Sequence, residues 1–209
     1  MLIAEKIALL RLNPEKGRPY MDVFEDIMLT SFLIDLYLSG NISFEEKKVK
    51  IITLETSNQL LDVPLKNLLT KKEGADASHI VGIAILLLNQ ATGPFTQREI
   101  YKNFVNQGVL RDETGKFPKL YFNKGDIQQK LISDIKNTTL GVDKPNIEDY
   151  YVLRMLKMGH RLKIYFSKPE IKEINALLEK DLSEIGIEEN LADLIMGIIK
   201  GLRRRHRAH

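Results

Sequence analysis

Apolar residues recur at helical spacing along most of the chain, and the exceptions are short. Residues 2–11 ("LIAEKIALLR") place acidic and basic residues inside an apolar periodicity, which predicts a short amphipathic helix ending near Asn13-Pro14. "EKGRPY" (15–20) reads as a turn punctuated by Gly17 and Pro19. From Met21 to Ser39 a longer helix opens with Asp22, Glu25 and Asp26, at the end where a helix dipole favours negative charge. Its second half is apolar nearly all round, the pattern of a helix at the centre of a fold. Gly40 is its natural cap. "NISFEEKKVKIITLE" then predicts two short strands, Ile42–Phe44 and Val49–Leu54, joined by a charged turn.

Helical spacing returns over 58–71, and "ADASHIVGIAILLLNQ" (75–90) predicts a second core helix broken by "ATGPF". Residues 96–108 predict another, with Thr96 as N-cap, Glu99 three residues later and Gly108 as terminator, a capping-box pattern. Four further helical stretches, 126–137, 147–159, 168–184 and 190–201, complete the chain. No composition shift, linker or repeat divides it. The expected fold is mainly α: a single compact multi-helix domain over residues 1–202 with short β-hairpins, one of them projecting, and a basic C-terminal tail over 203–209.

Composition narrows the picture a little. A hydrophobic content of 44% in 209 residues is enough for a sizeable core. There is no cysteine, which excludes disulfides and thiolate chemistry and fits a reducing compartment. The net charge of +3 is too small to imply nucleic acid or acidic membrane by itself. The first residues read as a helix and not as a secretion signal. The longest apolar run, Ile80–Leu88, is about half of the roughly 20 residues needed to span a bilayer. A protein that is soluble, or at most sits on a membrane surface, is expected.

Catalytic chemistry is hard to find. Glycines occur singly, with no loop to cradle a phosphate, and no H-E-x-x-H pattern appears. His79 beside an apolar helix and His160 in "KMGHRLK" are isolated, and isolated histidines mostly do packing or surface work. Asp35, inside "FLIDLYL", is the ionisable residue of most interest, because a buried carboxylate needs partners. With no second carboxylate or nucleophile at a telling spacing, it reads as a core acceptor of hydrogen bonds from a loop or an arginine. No enzyme activity, cofactor or metal is expected.

Binding is left, and the stretch 108–124 ("GVLRDETGKFPKLYFNK") frames it. A hairpin bearing Phe117, Leu120, Tyr121 and Phe122 between Lys116, Lys119 and Lys124 fits three roles: core strands, the wing of a DNA-binding module, or a probe of a lipid surface. A winged helix would use 80–90, the "ATGPF" turn and a recognition helix offering Gln97, Arg98, Lys102, Asn103, Asn106 and Gln107. The apolar first helix and weak net charge oppose that reading, and nucleic acid is not the expected partner. "GLRRRHRAH" adds four arginines within five positions, an auxiliary basic end.

The segments "LIAEKIALLRLNPEKGRPY" and "FLIDLYLSGNI", followed by "YKNFVNQGVL" and the hairpin, resemble the Golgi phosphoprotein 3 family in order and spacing over most of the chain. Shortness makes the chain more similar to prokaryotic relatives than to the Golgi protein itself. The resemblance implies a helical, non-enzymatic adaptor at the cytoplasmic face of a membrane. It would bind phosphatidylinositol 4-phosphate in a basic pocket beside a hydrophobic hairpin, self-associate through that hairpin, and engage cytosolic tails of membrane enzymes. A scaffold that binds only protein is the other reading.

By position, Tyr20 matches the family's pocket tryptophan. The pocket arginines fall near Leu29 and near Pro94 and Gln97, with Arg98 adjacent. Leucine and glutamine cannot supply bidentate charged donors to phosphate, so the headgroup set implied here is Tyr20 with Arg18 and Arg98. The membrane or dimer surface implied is Lys116, Phe117, Lys119, Leu120, Tyr121 and Phe122.

Overall fold

The computed structural model describes residues 1–13, 15–17, 24–46, 48–68, 93–112, 121–123 and 126–207. Nine helices and two small antiparallel hairpins occur among them, so the chain is mainly α as expected. The predicted core helix over 75–90 and its "ATGPF" break as far as residue 92 lie outside the described residues.

Helix α1 (Ile3–Arg11) departs from the amphipathic expectation. Ile3, Ala4, Ile7, Ala8, Leu9 and Leu10 are fully buried, and Glu5 and Arg11 are buried with them. A nine-residue helix has little length over which to show a solvent face once four others surround it. Helix α2 (Phe24–Leu38) lies along it, and α4 (Gly93–Asn106), α5 (Ile127–Thr139) and α6 (Ile147–Met158) close the remaining sides. Lys6 escapes only by pairing: its ammonium lies 2.9 Å from Glu148 and 2.6 Å from Asp149 on α6.

Helix α2 is central, as its apolar pattern predicts, with Ile27, Met28, Phe32, Ile34 and Leu36 buried. It ends where Gly40 takes φ +72°, with Asn41 N–H donating to the Leu36 carbonyl (2.9 Å) and Gly40 N–H to that of Tyr37 (3.0 Å). That is the glycine-terminated cap the sequence suggests. Strands β1 (Ile42–Glu45) and β2 (Lys48–Ile51) follow, with buried Phe44 directly opposite buried Val49. The second strand stops at Ile51, short of the expected Leu54. The Asn41 carbonyl accepts the Ile52 N–H (2.9 Å), and its side-chain amide holds the Glu55 carbonyl (2.7 Å), drawing the chain off the ladder. Helix α3 (Gln59–Leu68) is opened by Asn58, whose Oδ1 accepts the Leu60 N–H at 3.0 Å.

Helix α4 starts at Gly93, three residues before the expected cap, so Thr96 lies inside the helix. Pro94 permits this: it has no N–H to leave unpaired in a first turn, and its fixed φ suits a helix. The capping box does exist, at Ser167 and Glu170, where the Glu170 carboxylate accepts the Ser167 N–H (2.7 Å). It opens α8 (Lys168–Glu179), after the single turn α7 (Leu162–Tyr165) that the hydrophobic pattern does not predict. The last helix, α9 (Glu189–Arg207), runs on through five residues read as tail, with Leu194, Ile195, Ile198 and Leu202 buried towards α2 and β1. Arginines are good helix formers and are favoured at the negative end of a helix dipole.

Candidate functional site

Three elements carry the residues that the sequence marks: the turn after α1, helix α4, and the hairpin that follows it. The turn is made by Asn13, whose Oδ1 accepts the N–H groups of Glu15 (2.9 Å) and Lys16 (2.8 Å). Gly17, at φ +61°, closes it by donating to the Asn13 carbonyl (2.9 Å). A side chain is disfavoured in that left-handed conformation, which is why glycine serves there.

The turn leaves from a fixed point. The last carbonyls of a helix have no partner within it, and in α1 three other elements supply one. Gln128 Nε2 on α5 donates to Leu9 (2.6 Å) and Leu12 (2.9 Å), Tyr101 on α4 to Ala8 (3.2 Å), and Tyr165 on α7 to Leu10. Sequence reasoning passed over all three side chains. One signal existed for Gln128: it shares the helical face of Leu131, Ile132 and Ile135, a polar residue in a row of core positions.

The opposite end of α1 is held by Asp35, which is 4% exposed. Its Oδ1 accepts the Ile3 N–H (2.7 Å) and its Oδ2 the Ala4 N–H (3.0 Å). The expected role as a core acceptor is correct in kind, but the donors belong to a helix's first turn and not to a loop or an arginine. Burial pushes this carboxyl up to about 7. The Ala4 and Ile3 N–H groups oppose the shift, and Glu148 and Glu5 add to it.

Beyond the turn, Arg18 and Tyr20 lie outside the described residues. Arg98 is exposed, near the start of α4, one turn before Lys102. The helix ends in a second glycine cap: Gly108 takes φ +73°, and Val109 N–H donates to the Phe104 carbonyl (2.8 Å). Two residues later the hairpin begins. Strand β3 (Leu110–Asp112) pairs antiparallel with β4 (Tyr121–Asn123), setting Leu110 opposite Asn123, Arg111 opposite Phe122 and Asp112 opposite Tyr121. Leu110 is buried, whereas Arg111 and Asp112 are exposed. Lys116, Phe117, Lys119, Leu120 and Lys124 lie outside the described residues. Arg98, in the second turn of α4, is therefore separated from the helix end that leads into the hairpin by roughly 12 Å of helix rise.

The face of α4 that sequence reasoning offered to DNA is exposed at Arg98, Lys102 and Asn106, with Gln107 exposed just beyond the helix. With Asn58 and Gln59 at the start of α3, its Lys102, Asn106 and Gln107 line a cleft of about 1010 Å³. Asn103 donates to buried Glu5 (3.1 Å), and Lys102 pairs with Glu99 at 3.6 Å. The first helix of the winged-helix alternative (80–90) and most of its wing lie outside the described residues.

His160 occupies the left-handed position after α6 (φ +57°), where Arg161 N–H donates to the Leu156 carbonyl (2.8 Å). It terminates a helix. His79 lies outside the described residues. Among the described residues, no group of three or more histidines and carboxylates is placed to hold a metal, and no helix is long and apolar enough to cross a membrane.

A family model described as Golgi phosphoprotein 3 (GPP34) matches residues 3–194, from the start of α1 into the first turns of α9. No curated protein matches the chain.

Proposed function

The chain belongs to the Golgi phosphoprotein 3 family, and from that membership we propose that it is a peripheral membrane adaptor working at a cytoplasmic surface. Its ligand is an anionic phosphoinositide headgroup of the phosphatidylinositol 4-phosphate kind. Tyr20, Arg18 and Arg98 form the headgroup contacts, and the hairpin around Phe117, Leu120, Tyr121 and Phe122 supplies the apolar contact. Lys116 and Lys119 meet acidic headgroups, each contributing on the order of 1 kcal/mol near such a surface. A second copy associates through the same hairpin, which tightens weak single attachments. Cytosolic tails of membrane enzymes are the protein clients this reading implies.

The observation that carries the reading is the family match over residues 3–194, which spans the turn, α4 and both hairpin strands in one frame. Two features support it. The strand register sets Phe122 opposite exposed Arg111, and Asn123 opposite buried Leu110. The anchoring of both ends of α1 gives the turn before Arg18 a rigid base, and preorganised groups bind at lower entropic cost.

Co-sedimentation tests it. At low salt the protein should pellet with phosphatidylcholine vesicles containing phosphatidylinositol 4-phosphate, and less with phosphatidylcholine alone. Leu120→Asp combined with Phe122→Asp should weaken pelleting while leaving the circular-dichroism spectrum unchanged. Wild-type protein staying in the supernatant with the phosphoinositide vesicles would overturn the membrane role and leave a scaffold that binds only protein.

A further inference from the structure

The last two turns of α9 lie beyond the family match and concentrate positive charge. From Leu194 to Arg207 the chain has five basic residues and no acidic one. The formal net charge of the whole chain is +3, so everything else together carries −2. The positive character of the protein is concentrated in this one element.

Helix geometry then sorts it. Lys200, Arg203, Arg204 and Arg207 stand at i, i+3, i+4 and i+7, which places them in a row on one face, within roughly 10 Å of helix rise. The opposite face, Leu191, Leu194, Ile195, Ile198 and Leu202, is buried. Lys200, Arg203 and Arg204 are exposed, and no described acidic side chain pairs with them. Met196, on the same face one turn before Lys200, is 45% exposed.

A helix dipole explains only part of this row. Its field falls off within the last turn, so it accounts for Arg204 and Arg207 but not for Lys200 or Arg203. Self-repulsion along the row is a cost that a purely structural helix end would avoid.

We propose that the Lys200–Arg207 face of α9 is a second, headgroup-blind docking surface for an anionic lipid bilayer. This inference rests on the peripheral membrane reading above and adds a contact separate from its pocket and hairpin. A straight row of point charges meets a flat acidic surface along its whole length. Met196 beside it suits the apolar boundary under the headgroups, for which a nucleic-acid backbone has no use. The row lies beyond residue 194, where the family match stops.

The test uses the full-length protein and phosphatidylserine-rich vesicles that contain no phosphoinositide. Wild-type protein should bind at low salt and release as salt rises. Lys200→Gln with Arg204→Gln keeps good helix formers and should weaken partitioning about 25-fold, at about fivefold per charge removed. Lys200→Arg with Arg204→Lys preserves charge and should bind as wild type does. Binding to phosphatidylinositol 4-phosphate vesicles but not to phosphatidylserine vesicles would overturn this inference and leave the pocket reading standing. Phosphatidylserine binding lost in the glutamine variant, with no preference for the phosphoinositide, would support the row and remove the pocket. An unchanged glutamine variant would overturn the row. So would wild-type binding to duplex DNA with indifference to both vesicles.

Discussion

Replacing Asp35 by asparagine should flatten the pH dependence of the protein's stability. The carboxyl is buried and accepts the N–H groups of Ile3 and Ala4. Burial, reinforced by Glu148 and Glu5, nevertheless lifts its pKa from the ordinary 3.8 to about 7. An acid whose pKa is raised on folding holds a proton in the native state that the unfolded chain has released. Between pH 4 and 7, as an approximate window, stability must therefore fall as pH rises. From pH 5 to pH 8 the loss assignable to Asp35 is about 3 kcal/mol, at about 1.4 kcal/mol per unit. Asparagine does not titrate, but its amide nitrogen cannot accept, so one of the Ile3 and Ala4 N–H groups loses its partner at a cost of about 1–3 kcal/mol. Urea denaturation followed by circular dichroism at pH 5 and pH 8 measures both proteins. Asp35→Asn should be the less stable protein at pH 5, and the difference should close or reverse by pH 8 because its pH slope is flatter. A difference that stayed the same from pH 5 to pH 8 would show that folding does not raise the carboxyl's pKa, and the reasoning from burial would be refuted.

Other perturbations probe the same framework. Gln128→Leu takes the amide donor from the Leu12 carbonyl and leaves that of Leu9 with the Leu12 N–H, and should cost about 1–3 kcal/mol in urea denaturation; a cost under about 0.5 kcal/mol would show that α1 does not depend on that amide. Gly108→Ala meets no atom within 4 Å, so its cost is backbone strain alone at φ +73°. A loss of about 1 kcal/mol, read as a lowered Tm, is expected. Lys6→Met removes the partner of buried Asp149 and should destabilise by about 3 kcal/mol near neutral pH. A cost under about 1 kcal/mol would argue against the ion pair as a support of α1.

Much of the framework was legible because its causes are local. The apolar run of α2, the turn chemistry at Gly17 and the stop signals Gly40 and Gly108 each act within a few residues. The backbone answers them whatever surrounds it. The same holds for the placement of Arg98 on a helix and of Tyr121 and Phe122 on a strand. The start of α4 was misjudged where two local signals competed, since Pro94 and Thr96 both mark helix beginnings and the proline prevailed.

What the sequence determined by itself is thus the alphabet of elements, their order and the family they spell. Tertiary structure alone decided that α1 is buried on every side and that its ends are held from far along the chain. Asp35 reaches Ile3 across 32 residues, and Gln128 reaches Leu9 across 119. It also decided that the C-terminal arginines continue a helix whose other face is buried, turning a charged end into an ordered row. Periodicity reports which side of an element avoids water. Which partner covers that side, and which polar group must then find a donor or acceptor there, depends on surfaces that meet only when the chain has folded.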